Sequence, residues 1–599
     1  MDSGDAPVQD PQPWQDALAT ALGVHAQIIL TGNTRDLYPT VEKNLTAFLP
    51  IDQAIWQVLQ SAGFQALLRY DPVNGLRHHP GASDAAQQAL NAAGLLAAAP
   101  GQSIESIAQA VAALSEVPIA LLVDYASHLI FKRPEARDHL LVRIDQIARA
   151  PAPRPDGDGP SRNAILWIID RAGDLPDWFV VDNHTLRRIS VDLPDLEERY
   201  AYAKKLADGS WTQRAADQSA CQTFALQTEG MTLNDMTSIA GIAARQDLPM
   251  SRSDEAIRAY RTGIRRNPWT SSVLRDRLIE GRALLENRIK GQDRAIDRTL
   301  DILIRSAMGL SGAQTSSRLN RPRGVLFFAG PTGVGKTELA KAVTELLFGN
   351  QMLMHRFDMT EFNSERSVAR LVGAPPGYAG HDAGGELTNA MNRRPFSVVL
   401  FDEVEKAHPR VLDMFLQILD EGRLTDARGE TAYFSEAVII FTSNVGMFGK
   451  DQSTNMGMEI LPSDNFASLE SKLLKGVRNH FRYELRRPEL MNRIGQNIVV
   501  FDFIHTGSAR LIFDAIVGRV LTAVMAEQGI QVTLTEDARA QLSELCIADL
   551  FDGGRGIGNR IETNLINPLA QALFYLRPTG SLTVEGFQRD GSDVKLLCR

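Results

Sequence analysis

From residue 330 the chain reads Gly330-Pro331-Thr332-Gly333-Val334-Gly335-Lys336-Thr337-Glu338. The spacing G-x-x-x-x-G-K-[ST] is what a phosphate-wrapping turn requires. Glycines let the backbone curl so that its N–H groups converge on phosphate oxygens. The apolar run Val325-Leu326-Phe327-Phe328 supplies the strand that must feed such a turn, and Glu338 to Leu347 the helix that must leave it. A helix N-terminus adds a partial positive charge. Lys336 would reach the β- and γ-phosphates of ATP, and the Thr337 hydroxyl would ligate Mg²⁺. A chance glycine-rich turn would need neither flanking element.

A second run, Val398-Val399-Leu400-Phe401-Asp402-Glu403, is an apolar strand ending in two carboxylates. Placed beside the phosphate turn, Asp402 would hold the magnesium and its water shell, and Glu403 would orient and deprotonate an attacking water. Two adjacent acids after a buried strand are costly unless used. A third apolar strand, Val438-Ile439-Ile440-Phe441, ends in Thr442-Ser443-Asn444, and the Asn444 amide can position that water or read the γ-phosphate. Arg493, in Glu489-Leu490-Met491-Asn492-Arg493-Ile494, is a candidate arginine finger acting in trans. Arg555, after Gly553-Gly554, could close on the γ-phosphate from a helical lid. As single residues, Asn444, Arg493 and Arg555 are also compatible with ordinary surface positions.

These groups need a framework. At roughly 100–200 residues per domain, 599 residues imply three to five folding units. With 44% hydrophobic and 23% charged residues the composition is globular. The net charge of −9 gives no basic footprint for nucleic acid. Cys221, Cys546 and Cys598 have no metal spacing, so structural thiols in a reducing cytoplasm are expected. The start of the chain lacks the pattern of a signal peptide, and no apolar run is long enough to span a membrane. Residues 1–13 read as a disordered arm. Strand–helix alternation from Trp14 predicts a parallel-sheet α/β domain to residue 195, with strands near Gln27–Leu30, Ala66–Tyr70, Pro118–Val123 and Ala164–Ile169. Residues 196–262 read as a helical lid and 263–288 as an arginine-rich linker. The alternation then repeats over 289–504, including a strand at Met352–Phe357, with a second lid over 505–599.

Taken together, residues from about Ile289 to Arg599 resemble the C-terminal AAA+ module of Clp ATPases, the disaggregase and unfoldase group. The resemblance rests on Ile289-Lys290-Gly291-Gln292-Asp293, like that family's adenine-side box, and on the phosphate turn. It continues through Gly373-Ala374-Pro375-Pro376-Gly377-Tyr378-Ala379-Gly380, Phe401-Asp402-Glu403-Val404-Glu405-Lys406-Ala407-His408-Pro409 and Asp420-Glu421-Gly422-Arg423-Leu424-Thr425-Asp426. It ends with Asn492-Arg493 and Gly554-Arg555. It implies ATP held by Ile289, Gly330 to Glu338 and Asp402, and a homo-hexameric ring with Arg493 acting across subunits. It also implies that the glycine-hinged loop Gly377-Tyr378-Ala379-Gly380 lines a pore and drags polypeptide, an aromatic grip suited to many sequences. Arg423 to Gly429 would be a second pore loop. Met456-Gly457-Met458 stands where protease-linked members carry a tripeptide that plugs into a peptidase ring. Methionine replaces the usual third residue there, and a loop with incidental methionines is the competing reading.

Residues 14–262 resemble an AAA+ module that has lost its chemistry. After its first strand the chain reads Leu30-Thr31-Gly32-Asn33-Thr34-Arg35-Asp36, without G-K-[ST]. Ile119–Val123 ends in Asp124-Tyr125, with tyrosine where the catalytic glutamate stands, and Ile165–Ile169 ends in Asp170-Arg171. The expectation is two tandem modules, only the second active, working as an ATP-dependent protein unfoldase with a polypeptide substrate. The alternatives are an ATP-binding assembly switch or regulatory ATPase in a multi-protein defence or secretion system, or an unfoldase partner of a separate peptidase or adaptor. Only a motor needs Tyr378 and Glu403 together.

Overall fold

The computed structural model describes residues 12–42, 45–96, 103–131, 134–151, 154, 160–170, 174–180, 183–209, 211, 217–265, 267–310, 321–375, 378, 380–449, 457–458, 460–578, 580–590 and 593–599. Most of the arm read at 1–13 falls outside them. The chain forms two compact units, Met1–Tyr260 and Arg261–Arg599.

In the first unit the strands are β1 (Gln27–Gly32), β2 (Leu37–Glu42), β3 (Leu45–Pro50), β4 (Ala66–Asp71), β5 (Gly75–His78), β6 (Ile119–Val123), β7 (Ala164–Ile169) and β8 (Leu186–Val191). Six of them form one sheet in the order β5-β4-β6-β7-β1-β8, parallel except for the edge strand β5. Because strand side chains alternate faces, the apolar runs feed two cores. Ile29, Leu121, Ile165 and Trp167 pack on one face, and Ile28, Leu30, Leu122, Leu166 and Ile168 on the other. Four helices, Leu196–Gly209, Gln218–Gln227, Leu233–Arg245 and Ser253–Thr262, follow the sheet. They close around Phe224, Met236 and Ile239.

In the second unit β9 (Gly324–Ala329), β10 (Met354–Asp358), β11 (Val398–Asp402), β14 (Val438–Ser443) and β17 (Ile498–Val500) form a parallel sheet. Its order is β10-β11-β14-β9-β17. Two short antiparallel pairs decorate it: β12 (Arg423–Thr425) with β13 (Thr431–Tyr433), and β15 (Phe448–Gly449) with β16 (Gly457–Met458). The strand β9 is buried from Leu326 to Ala329, which places its C-terminal tip, and the turn after it, in the middle of the sheet's edge. The terminal domain contains the helices Thr506–Gln528, Glu536–Ile547, Gly553–Ile561 and Asn567–Leu576. It also holds a three-stranded sheet of β18 (Gln531–Leu534), β19 (Ser581–Asp590) and β20 (Asp593–Cys598).

Three expectations change. The segment 263–288 is not an open linker: it forms the helices Ser272–Ile279 and Gly281–Arg288, whose Leu274, Leu278 and Leu285 enter the second unit's core. The arginines that suggest a solvated connection lie on the other faces of those helices. The strand expected at Met352–Phe357 begins at Met354, after a short 3-10 turn over Gln351–Leu353. The terminal lid carries β18 and β20 beside the single closing strand expected.

Candidate nucleotide site

The turn between β9 and the helix Lys336–Phe348 needs glycine at three points. Gly330, Gly333 and Gly335 have φ of 153°, 76° and 105°. A side chain on Gly330 would come within 2.8 Å of Phe501, and one on Gly333 would strike the carbonyl of Asp552. The turn is thus clasped from above by the start of the helix Gly553–Ile561, where the Gly554 N–H donates to the Gly333 carbonyl at 2.9 Å. That contact brings Arg555 over the turn.

Lys336 is buried, 8% exposed. Its ammonium donates to the carbonyls of Gly330 and Pro331 and to Oδ1 of Asn444, each at 2.7 Å. Burial pulls its pKa down to about 8, partly offset by the carboxylates Glu405, Asp402 and Glu403. A desolvated cation resting on neutral carbonyls is short of negative charge, and an anionic phosphate would supply it. At the helix start the Thr337 hydroxyl lies 3.4 Å from Asp402 Oδ2. The pair is an oxygen donor set of the kind a hard divalent cation takes.

Asp402 ends β11 and is held from two sides. Thr442 Oγ1 donates to its Oδ1, and Arg356, on the neighbouring β10, forms an ion pair with its Oδ2 at 2.7 Å. The chain then turns through a left-handed residue, Glu403 (φ 55°, ψ 54°), whose N–H donates to Thr442 Oγ1 at 3.0 Å. This kink throws the Glu403 side chain off the strand line. Burial, then the like charges of Glu405, Asp358 and Asp402, raise its pKa. A carboxyl raised in this way is a better proton acceptor than an ordinary one. Asn444, at the tip of β14, is fixed by its N–H to Glu405 Oε1 at 3.0 Å.

These groups line one cleft of about 810 Å³. Its other end is apolar, with Ile289 and Ile504 before the lid and Ile512 and Ile516 on the helix Thr506–Gln528. Gln292 fastens that end, donating to the Asp502 carbonyl at 2.9 Å and accepting its N–H at 3.0 Å. The cleft therefore joins an end lined by isoleucines to a cationic and acidic end. Glu338 also borders it, but its carboxylate is paired with Arg288 at 2.8 Å and Lys341 at 3.2 Å, which turns it outward.

Two expected groups lie elsewhere. Arg493, at the end of the helix Pro488–Ile494, pairs with Asp420 at 2.7 Å and does not border this cleft. Tyr378 is 71% exposed, its N–H on the Pro375 carbonyl. Gly380 follows with φ 92°, while Gly377 and Ala379 are outside the described residues. So is Met456; Gly457 and Met458 form β16 against Phe448 and Gly449. The sequence reading missed Arg356 and Thr442 as cleft residues, and Glu405 as the group that fixes Asn444 from outside the cleft. The available signal for the first was an arginine inside a strand adjacent to the acid pair.

In the first unit the same places hold other chemistry. The turn after β1 runs directly into the β2–β3 hairpin. Arg35 pairs with Asp170 at 3.0 Å and lies 4.0 Å over the Tyr125 ring. Arg69, on β4, pairs with Asp124 at 2.7 Å. The Asp36 carboxylate accepts the N–H groups of Leu233 and Asn234, both at 2.9 Å, at the start of the helix Leu233–Arg245.

Comparison with known proteins agrees with this layout. Residues 321–497 match the family described as AAA domain (Cdc48 subfamily), and residues 6–192 that described as AAA+ chaperone, N-terminal Rossmann-like domain. Heat shock protein 100 of Trypanosoma brucei brucei is 41% identical over 318 residues, 52% of this chain and 34% of its own length. The chaperone protein ClpB of Bacteroides thetaiotaomicron is 40% identical over 299 residues, 50% of this chain and 33% of its own. The ATP-dependent Clp protease ATP-binding subunit ClpC of Staphylococcus saprophyticus is 37% identical over 322 residues, 54% and 36% of the two lengths. The chain thus spans about a third of the length of these relatives. A solved structure of Hsp104 with ATPγS and FITC casein superposes over 98% of this chain and 94% of that one, at TM-score 0.60 and 21% identity, a likeness of fold. The chain thus matches an AAA domain over residues 321–497 and an AAA+ chaperone Rossmann-like domain over residues 6–192, and about half of it is similar to proteins of the ClpB, ClpC and Hsp100 kind.

Proposed function

We propose that this chain is an ATP-driven protein unfoldase or remodeller whose second module alone hydrolyses nucleotide. The observation that carries the reading is the convergence of Lys336, Thr337, Asp402, Glu403 and Asn444 in one cleft beneath Arg555. The phosphate turn and Lys336 bind the triphosphate, and the apolar end accepts a planar base. Thr337 and Asp402 would hold magnesium, which would supply charge neutralisation of the phosphates. Glu403 takes the proton of the attacking water and Asn444 orients it. Arg555 reports the γ-phosphate to the lid. Arg493 serves a neighbouring subunit's cleft in a homo-hexameric ring in the cytoplasm, consistent with its place away from its own.

Tyr378 grips the polypeptide. Its exposure and its glycine neighbours support a mobile aromatic wedge rather than a packed core residue. The test is a trap. With ATP present, the Glu403→Gln chain should retain an unfolded polypeptide that the parent releases. Tyr378→Ala should abolish unfolding and spare basal ATP turnover. Unfolding that survives Tyr378→Ala would remove the grip from Tyr378, and a parent chain that hydrolyses ATP but unfolds nothing would favour the nucleotide-gated assembly switch.

A further inference from the structure

Both ends of the Tyr378 loop rest on one turn. The loop leaves the helix Glu365–Val372 at Gly373 and rejoins the fold at Gly384-Gly385, before the helix Glu386–Arg393. On the entering side, the Val372 carbonyl accepts the N–H of Ala427, in the β12–β13 turn, at 2.9 Å. On the returning side, Gly384 (φ 69°) lies flat under the Arg428 guanidinium, so closely that a side-chain carbon there would collide with it. The same guanidinium donates to Asn389 Oδ1 at 3.3 Å, and the Asn389 amide donates to the Ala383 carbonyl at 2.8 Å. Asp426, whose side chain is fully buried, anchors the arginine at 3.1 Å, and Glu430 holds it at 2.7 Å. Burial alone would raise the Asp426 carboxyl. Hydrogen bonds from the Glu430 and Arg428 N–H groups and from the Arg428 side chain bring it below the usual range, so the anchor stays charged.

We propose that Arg428 is the positioning residue that couples the β12–β13 turn to the Tyr378 loop, so that the two shift as one body when polypeptide is gripped. The physical reason is the mixture of contacts. One N–H fixes the loop's entry, and one planar cation packs on a glycine at its exit, in the space a side-chain carbon there would need. A pull on Tyr378 is then passed to the β12–β13 turn rather than absorbed at the loop's roots. The gripping part of this proposal rests on the unfoldase reading; the coupling does not.

Amide hydrogen exchange on the nucleotide-free full chain separates the two. Arg428→Ala should speed exchange at Gly384, Asn389 and Ala427 by about 10-fold or more, with β11 and β14 amides unchanged. Gly384→Ala should disturb the parent more than it disturbs the Arg428→Ala chain, because removing the guanidinium frees the space its side chain needs. Unchanged exchange at those three amides, or additive effects in the double variant, would overturn the coupling. The ATP turnover stimulated by an unfolded casein should fall several-fold in Arg428→Ala. If the parent itself shows no such stimulation, the grip fails while the exchange result still decides the coupling.

Discussion

Laid side by side, the two sheets have one plan: β8-β1-β7-β6-β4 in the first unit matches β17-β9-β14-β11-β10 in the second. The match reaches single residues. Arg69 stands opposite Leu122, two before Asp124, and Arg356 opposite Leu400, two before Asp402. Each arginine pairs with its strand-end aspartate at 2.7 Å. The next residue is left-handed in both, Tyr125 at φ 53° and Glu403 at φ 55°. The difference lies around these shared features. The turn after β9 in the second unit has three positive-φ glycines and a buried lysine short of an anion. The first has Arg35, paired with Asp170 and stacked over the Tyr125 ring, and Asp36, whose carboxylate accepts the N–H groups at the start of the helix Leu233–Arg245. An arginine–aspartate clamp kept in both units is therefore part of how the strand ends are held, and the glycine turn with its lysine is the feature of the second cleft that the first unit lacks.

That contrast can be broken at several points. The largest effect belongs to Glu403: Glu403→Gln should cut steady-state ATP turnover by about 10²–10⁴-fold, while fluorescent-nucleotide titration finds binding within a few-fold of the parent. The reverse change, Tyr125→Glu, should add no turnover in a Lys336→Ala background, because the end of β1 and the segment after it, Thr31 to Asp36, carry no lysine to hold phosphate.

Next comes pH. Lys336 has a folded pKa of about 8, below its usual 10.5, because burial disfavours its charge. A bound phosphate favours that charge and lifts the pKa again. Nucleotide affinity should thus be flat below pH 8 and weaken above it, by up to about tenfold per unit, until the complex's own pKa is reached. Calorimetric titrations from pH 7 to 10 would show this, and a pH-independent affinity would contradict it. The same depression costs stability to the nucleotide-free fold at lower pH and is relieved as pH rises from about 8 towards 10.5.

The smallest effect sharpens the shared clamp. Arg69→Ala and Arg356→Ala should each cost roughly 1–3 kcal/mol, by leaving a buried aspartate short of a partner. Thermal unfolding with Mg–ATP should recover the loss in Arg356→Ala, where a metal can sit on Asp402, and not in Arg69→Ala.

The phosphate turn, the acid pair and Asn444 were legible because their chemistry dictates residue type and spacing in a continuous stretch. The two parallel sheets were legible because strands such as Ile119–Val123 and Ala164–Ile169 are apolar throughout, as burial on both faces requires. What escaped depends on distant pairing. Leu37–Pro50 contains Pro39 and a charged middle, and only the partner strand makes it a hairpin. Leu274, Leu278 and Leu285 are helix-spaced, but the arginines between them read as solvated. Arg356 and Arg428 gain their roles from Asp402 and Asn389, 46 and 39 positions away, so the sequence shows the first only as an arginine inside a strand and does not show its partner.

The most direct measurement is the number of nucleotides bound per chain. Equilibrium dialysis with ATP and magnesium at saturation should give one nucleotide per chain for the parent and none for Lys336→Ala. Two per chain, or binding that survives loss of Lys336, would show that the first unit holds nucleotide and contradict the division of labour between the modules.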